Sequence, residues 1–450
     1  MARRRPLSPS QFLAFSFLGI ILAGGVLLSL PFSAAPGRSV SILNAFFTSV
    51  SAVCVTGLVV IDTPVDLSVF GQVVVMLLIQ AGGLGYMTLS TVFAAALGRS
   101  VTLQERITLQ EALNAQDMEG LVRFARTVLR LTLAFELGGA LILALNWWPS
   151  LGLGRALWFG LFHAVSAFNN AGFALWSDNL SSWKGDIVVN AVITGLIISG
   201  GLGFFVWAEL LKGRRHELKR SVHTRLVLTA TAALLVGGTL AILALEWFNP
   251  ATLAPLSLKD KLLTAWFQSV TARTAGFNTI DIGAMTVPSL FVLMALMFIG
   301  ASPGGTGGGV KTSTFAITLA ALWATVRGED DTVVFKRRLA PELVAKAFFV
   351  SLIAFVAMNG VAWLLLVTEG RDLLKTLFET ASAFGTVGLS MGEHGAPVSL
   401  SAFFSPIGKV LVMAMMFIGR LGPLTLAIAV ARRGNAHAKI RYPEGKILVG

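Results

Sequence analysis

The sequence predicts an all-α integral membrane protein. Four tandem repeats of helix, pore loop and helix surround a central pore with pseudo-fourfold symmetry, giving eight transmembrane helices. Three observations predict this. Of 450 residues, 55% are hydrophobic and 13% charged, against about 25% charged in a soluble domain, and the apolar residues come in runs long enough to span a bilayer. Basic residues gather in alternate loops. Four segments about a hundred residues apart align with one another. One cysteine, Cys54, excludes a disulfide framework or a Cys-rich metal site, and five scattered histidines argue against zinc.

Taken in order, spans are expected near residues 11–32, 69–97, 127–148, 186–211, 224–247, 288–326, 342–368 and 405–431. Eight crossings return both termini to one side. Segments on that side hold Arg3, Arg4 and Arg5 and the basic residues of 99–130, 212–225, 327–346 and 432–446, which is 24 of the 35. By the positive-inside rule this side is cytoplasmic, as expected for a multi-pass protein of the inner (cytoplasmic) membrane. The outer segments, with the span ends that border them, carry nine basic against eleven acidic residues, among them Asp62, Asp178, Asp281 and Glu379. The net charge of +12 is therefore a topology signal, and the expected partner is the lipid bilayer rather than nucleic acid. MARRRPLSPS before an apolar run has the look of a signal peptide. No small-residue cleavage site precedes PFSAAPG, however, and removing the run would break the repeat, so it reads as the first membrane helix.

Internal repetition carries most of the information. AFFTSVSAVCVTGLVVID from Ala45, GLFHAVSAFNNAGFALWSD from Gly160, AWFQSVTARTAGFNTIDI from Ala265 and TLFETASAFGTVGLSMGE from Thr376 align, each too short to span and each reaching a glycine: Gly57, Gly172, Gly276 and Gly388. A second landmark follows in the next helix, as IQAGGLGYM, IISGGLGFF, FIGASPGGT and FIGRLGPLT. The expected repeats are 1–98, 99–212, 213–328 and 329–450, the last including a C-terminal tail. An even number of crossings gives each the same orientation.

Non-helical backbone at membrane depth requires protein cover or a wet cavity. Four re-entrant segments around one axis make a pore. A short helix stopping mid-membrane aims its negative end at the centre and favours a cation, and extended residues after it, with a glycine free to take unusual angles, can turn carbonyls inward to replace a hydration shell. Helix-packing glycines would not need an amphipathic half-helix before each one.

At these residues the chain resembles the KtrB and TrkH potassium transporters of the superfamily of K⁺ transporters, over essentially its whole length. The marks are SAVCVTGL, AFNNAGF, SVTARTAGFNT and SAFGTVGLS, with GASPGGTGGGVKTST in the sixth span and IGRLGP in the eighth. The lack of extra helices before the first repeat, and the ending KILVG, are more like KtrB. The resemblance implies a K⁺ selectivity filter at Val53, Cys54, Val55, Thr56 and Gly57; Asn169, Asn170, Ala171 and Gly172; Arg273, Thr274, Ala275 and Gly276; and Gly385, Thr386, Val387 and Gly388, with K⁺ held by backbone carbonyls. Sodium-conducting relatives tend to have serine in the first repeat, where Gly57 stands here. One departure is visible: nine steps separate Phe267 from Gly276, where ten separate Phe47, Phe162 and Phe378 from their glycines.

The sixth span exceeds the ~20 residues a straight crossing needs, and from Gly300 to Thr314 it contains six glycines and a proline, so a continuous helix is implausible. A phosphate-binding loop fails on spacing, because Val310 separates Gly309 from Lys311. A flexible glycine-rich hinge is the better reading. The resemblance implies a gate loop, with Gly304, Gly305, Thr306, Gly307, Gly308, Gly309, Lys311 and Arg420 as its residues. Arg420, a charge inside an apolar span, faces a cavity or a partner: either it raises the barrier beside the gate, or it pairs with Glu136.

The charged, leucine-bearing stretches TLQERITLQEALNAQDMEGLVRFARTVLR and KGRRHELKRSVHTR read either as solvated connecting helices or, as the resemblance implies, as docking sites for a cytoplasmic ring of KtrA/TrkA-type nucleotide-binding subunits. Nothing in the chain reads as a nucleotide site of its own. The family also forms homodimers. The expected function is K⁺ uptake, with Na⁺ a candidate coupling ion; the alternative is a secondary symporter for sodium or another monovalent cation. The inverted repeats of many symporters would give odd crossings per repeat, whereas these are even. An enzyme is not expected, since paired carboxylates, metal-ligand spacing and a nucleophile with its base are all missing from the sequence.

Overall fold

The computed structural model describes residues 9–85, 121–211, 221–393 and 395–422. The C-terminal tail and most of the stretch from 99 to 130 lie outside the described residues, as does the start of KGRRHELKRSVHTR. The helices are α1 (Pro9–Ser29), α2 (Ile42–Val53), α3 (Val69–Leu84), α4 (Leu121–Leu151), α5 (Leu153–Phe168), α6 (Ile187–Gly201), α7 (Phe204–Leu211), α8 (Val222–Glu246), α9 (Leu258–Thr271), α10 (Val287–Phe298), α11 (Thr312–Val326), α12 (Pro341–Glu369), α13 (Leu373–Gly385) and α14 (Pro406–Leu421). A small hairpin pairs Val333–Val334 with Arg337–Arg338 between α11 and α12.

Four of these, α1, α4, α8 and α12, are long and apolar enough to cross a bilayer. Their large apolar side chains, such as Phe15, Leu141, Val236 and Phe349, point outward and exposed, as a lipid-facing helix requires. A shorter helix follows each one: α2, α5, α9 and α13. Three of them start at a capping side chain that accepts a backbone N–H of the first turn: Ser41 from Asn44, Ser257 from Asp260 and Asp372 from Lys375. Phe47, Phe162, Phe267 and Phe378 on these helices are wholly buried.

The next helices knit the set together. α3 packs on α2 and α5, α6 on α5 and α9, α10 on α13, and α14 on α13 and α2. Each of them therefore reaches the short helix that comes next in the chain, and the last returns to the first.

The span expected at 186–211 is not continuous. α6 and α7 meet at 97° across Leu202 and Gly203, because Gly203 has φ +92°, an angle that glycine takes at little cost. The break expected only in the sixth span recurs at the matched landmark: α3 stops at Gly85 with φ +76° and α14 at Gly422 with φ +85°, within the stretches read as single spans at 69–97 and 405–431. The repeat boundaries expected after 98 and 212 lie outside the described residues, and that after 328 falls in the turn following α11.

Candidate functional site: a ring of four glycines and the loop beneath it

After each short helix the backbone twice enters the left-handed region, two residues apart: Val55 and Gly57, Asn170 and Gly172, Thr274 and Gly276, Thr386 and Gly388. The four segments meet at the glycines. A Cβ placed on Gly57 would lie 2.5 Å from the Ala171 carbonyl, on Gly172 2.8 Å from that of Ala275, on Gly276 2.3 Å from that of Val387, and on Gly388 2.3 Å from that of Thr56. The contacts run in one cyclic order and close. Any side chain at these positions would drive into the carbonyl of the neighbouring segment, so the glycines serve close approach as well as backbone angle.

A set of hydroxyls braces this ring from behind. Gly57 N–H donates to Ser51 Oγ at 3.1 Å, Gly388 N–H to Ser382 Oγ at 3.0 Å, Ser166 Oγ to the Phe173 carbonyl at 2.8 Å, and Thr271 Oγ1 to the Phe277 carbonyl at 2.6 Å. None of these four residues is among those expected in the filter, although each stands four positions after the aligned phenylalanine. The hydroxyls also place the one-residue deletion of the third segment, which falls between Thr271 and Gly276, beyond the last turn of α9. Not every residue expected in the filter reaches the ring. Val53 and Gly385 close α2 and α13, and Cys54 and Asn169 are cap residues. The Asn169 amide turns away to Gln80 at 3.1 Å and Glu136 at 2.8 Å. Buried Arg273 sends Nη2 to within 3.5 Å of the Gly300 carbonyl.

On the outer side the glycines floor a cavity of about 480 Å³, walled in part by Asp62, Asp178, Asp281 and Glu393. Burial pushes the Asp62 carboxyl above its ordinary value, opposed by a hydrogen bond from Ser177. Glu379 does not join this wall. It lies buried behind the fourth segment, accepting from Ser390 Oγ at 2.6 Å and Ser401 N–H at 2.9 Å. Glu393, bonded to Arg371, was the acid to find, since it follows Gly388 at the offset by which Asp62 follows Gly57 and Asp281 follows Gly276.

On the inner side lies the loop between α10 and α11. It is tightly packed rather than slack. Gly300 N–H donates to the Val310 carbonyl at 2.8 Å, Ser302 N–H to Gly201 at 2.9 Å, Thr306 N–H to Gly200 at 3.1 Å and Lys311 Nζ to Gly307 at 2.6 Å. Its glycines are sites of close approach: a Cβ on Gly300 would fall 1.9 Å from the Gly308 carbonyl, and one on Gly305 2.8 Å from that of Gly201. Gly304 and Gly309 take φ of +71° and +68°. Arg420 reaches the loop from α14. Its guanidinium donates to the Thr306 carbonyl and to Gly82 and Gly83, the carbonyls at the negative end of α3. The side chains of Arg420 and Glu136 thus have different partners, and the expected alternative pairing is replaced by backbone acceptors.

Comparison with known proteins gives a consistent picture. Residues 21–437 match the TrkH family, described as cation transport protein. The chain is 43% identical to Ktr system potassium uptake protein B of Bacillus subtilis, over 98% of this chain and 97% of that protein. It is 40% identical to the protein of the same name from Vibrio alginolyticus, covering 98% and 94%, and 37% identical to the potassium/sodium uptake protein NtpJ of Enterococcus hirae, covering 99% and 98%. The crystal structure of the potassium transporter TrkH from Vibrio parahaemolyticus superposes with a TM-score of 0.75 at 19% identity, covering 96% of this chain and 86% of that one.

Proposed function

The chain belongs to the TrkH family of cation transport proteins, and on that premise we propose that it takes up potassium across the cytoplasmic membrane through a channel-like pore. The observation that carries the proposal is the closed ring of Gly57, Gly172, Gly276 and Gly388. Paired left-handed residues before and at each glycine let successive carbonyls face one axis, where they replace the hydration shell of a cation. The short helices point their negative ends at the same region. Residues 1–98, 99–212, 213–328 and 329–450 are the four repeats, eight helices cross the bilayer with pseudo-fourfold symmetry, and both termini are cytoplasmic.

Residues Gly304 to Gly309, with Lys311 and Arg420, are the gate. The loop fills the inner end of the pathway, and Arg420 holds it by the Thr306 carbonyl. The relatives named for the Ktr system support a cytoplasmic nucleotide-binding subunit of KtrA/TrkA type as controller, with the chain itself assembled as a homodimer. Support for sodium as a second ion comes from the Enterococcus hirae relative, a potassium/sodium uptake protein by name. Rubidium uptake into proteoliposomes, with and without Na⁺ and with excess K⁺, tests the proposal: uptake blocked by excess K⁺ is the expected result, and uptake indifferent to K⁺ overturns it.

A further inference from the structure

Two hydroxyls on the inner side of the glycine ring are shared between the filter and the loop. Thr274 and Thr386 stand two residues before Gly276 and Gly388, both in the left-handed region and both wholly buried. The Gly308 N–H donates to Thr386 Oγ1 at 3.0 Å. A Cβ on Gly308 would come within 2.5 Å of that oxygen, and a Cβ on Gly307 within 2.0 Å of Thr274 Oγ1. Thr274 Oγ1 also shares a hydrogen bond of 3.0 Å with the Asn170 amide, from the matched position of the second segment. The first segment has Val55 there, without a hydroxyl. The loop thus rests on side chains belonging to the filter, and only glycine fits between them.

Resting on the reading of residues 304–309 as a gate, we propose that Thr274 and Thr386 are the seat of the closed loop, Thr274 by close packing against Gly307 and Thr386 by its hydrogen bond from Gly308, and that the loop and a cation at the inner end of the filter compete for the Thr386 hydroxyl oxygen. A hydroxyl oxygen offers lone pairs either to an N–H or to a cation. The Gly308 N–H turns the positive end of its dipole toward the oxygen that a dehydrated cation would use, so the two occupants repel. Docking of the loop empties the inner end of the filter, and loading of that end with K⁺ lifts the loop. Filter and gate are then one coupled element, and ion supply acts on the gate directly.

The test uses the full-length protein in proteoliposomes without its cytoplasmic partner, reading rubidium uptake against K⁺ concentration. Thr386→Val removes the oxygen at nearly constant volume and is expected to raise partner-free uptake about two- to tenfold, the worth of one buried hydrogen bond, and to flatten the dependence of the open fraction on K⁺. Thr386→Ser keeps an oxygen and falls between wild type and Thr386→Val, an order that a purely steric role would not give. If Thr386→Val lowers the melting temperature too far for assay, Thr386→Ser carries the measurement of the hydrogen bond, and Thr274→Val tests the packing of the seat against Gly307. A protein shortened within Gly304 to Gly308 separates the failures. Raised uptake there, with both valine variants at wild-type uptake and wild-type K⁺ dependence, overturns the seat and leaves the gate standing. Wild-type uptake in all three overturns both.

Discussion

At Gly57 the proposed filter depends on a missing side chain. A Cβ there meets the Ala171 carbonyl at 2.5 Å with φ at +89°, and both the strain, about 1–3 kcal/mol, and the collision act on the ring. Gly57→Ser is therefore expected to insert and fold while its K⁺ over Na⁺ discrimination falls about tenfold or more. Rubidium uptake competed by each ion measures this, and unchanged discrimination would take Gly57 out of the site. Arg420 acts through its contacts. Hydrogen bonds from a charged donor are worth about 1.5–3 kcal/mol, so Arg420→Ala should release the loop and raise partner-free flux about tenfold or more. Adding Glu136→Gln should leave that gain in place, because Glu136 bonds to Asn169 rather than to Arg420. A destabilised Arg420→Ala protein with no added flux, restored by Glu136→Gln, would return the pair to a structural role.

Among the elements, the second-landmark glycines seat the short helices. A Cβ on Gly82 would lie 1.9 Å from the Val53 carbonyl, on Gly200 1.8 Å from that of Phe168, and on Gly419 1.9 Å from that of Phe384. All three carbonyls belong to the last turns of α2, α5 and α13. Gly82→Ala should therefore cost about 1–3 kcal/mol through overpacking and lower the melting temperature in detergent. Gly237→Ala in α8, with nothing within 4 Å of the added atom, should leave the melting temperature unchanged or raise it slightly. Equal effects of the two substitutions would argue that glycine content alone sets helix stability. The loop between α10 and α11 obeys the same logic. In the proposed gate, shortening it and removing Arg420 both open one constriction, so their effects on flux should combine less than additively; full additivity would place Arg420 outside the gate.

For the whole molecule, closure of the ring joins residues far apart in the chain. Val59 N–H donates to Ser399 Oγ at 2.9 Å, a pair separated by 340 positions, and Ser399 N–H returns to the Val59 carbonyl at 2.8 Å. The first and fourth segments are thereby sewn together at the outer cavity. Beyond the single chain, the apolar ending KILVG of the tail is proposed to help join two protomers. Deletion of residues 446–450 should shift the detergent-solubilised protein toward monomer in light scattering, and a truncated protein that still cross-links as a dimer would assign the tail elsewhere.

Hydropathy, charge asymmetry and repetition are written along the chain, so the membrane class, the long helices, the four aligned glycines and the broken sixth span were legible before folding was considered. The sequence could also have yielded the hydroxyls Ser51, Ser166, Thr271 and Ser382, and Glu393, which stand at fixed offsets. Other features depended on contacts between residues more than a hundred positions apart, which no local pattern records. It took the folded chain to show that Gly57 abuts Ala171 and Gly388 abuts Thr56, and that Arg420 ends on the carbonyls of Gly82, Gly83 and Thr306. The same fold shows the loop glycines to be tightly packed where a flexible hinge was expected, because what a glycine contributes by lacking a Cβ depends on the neighbour that would occupy the same space.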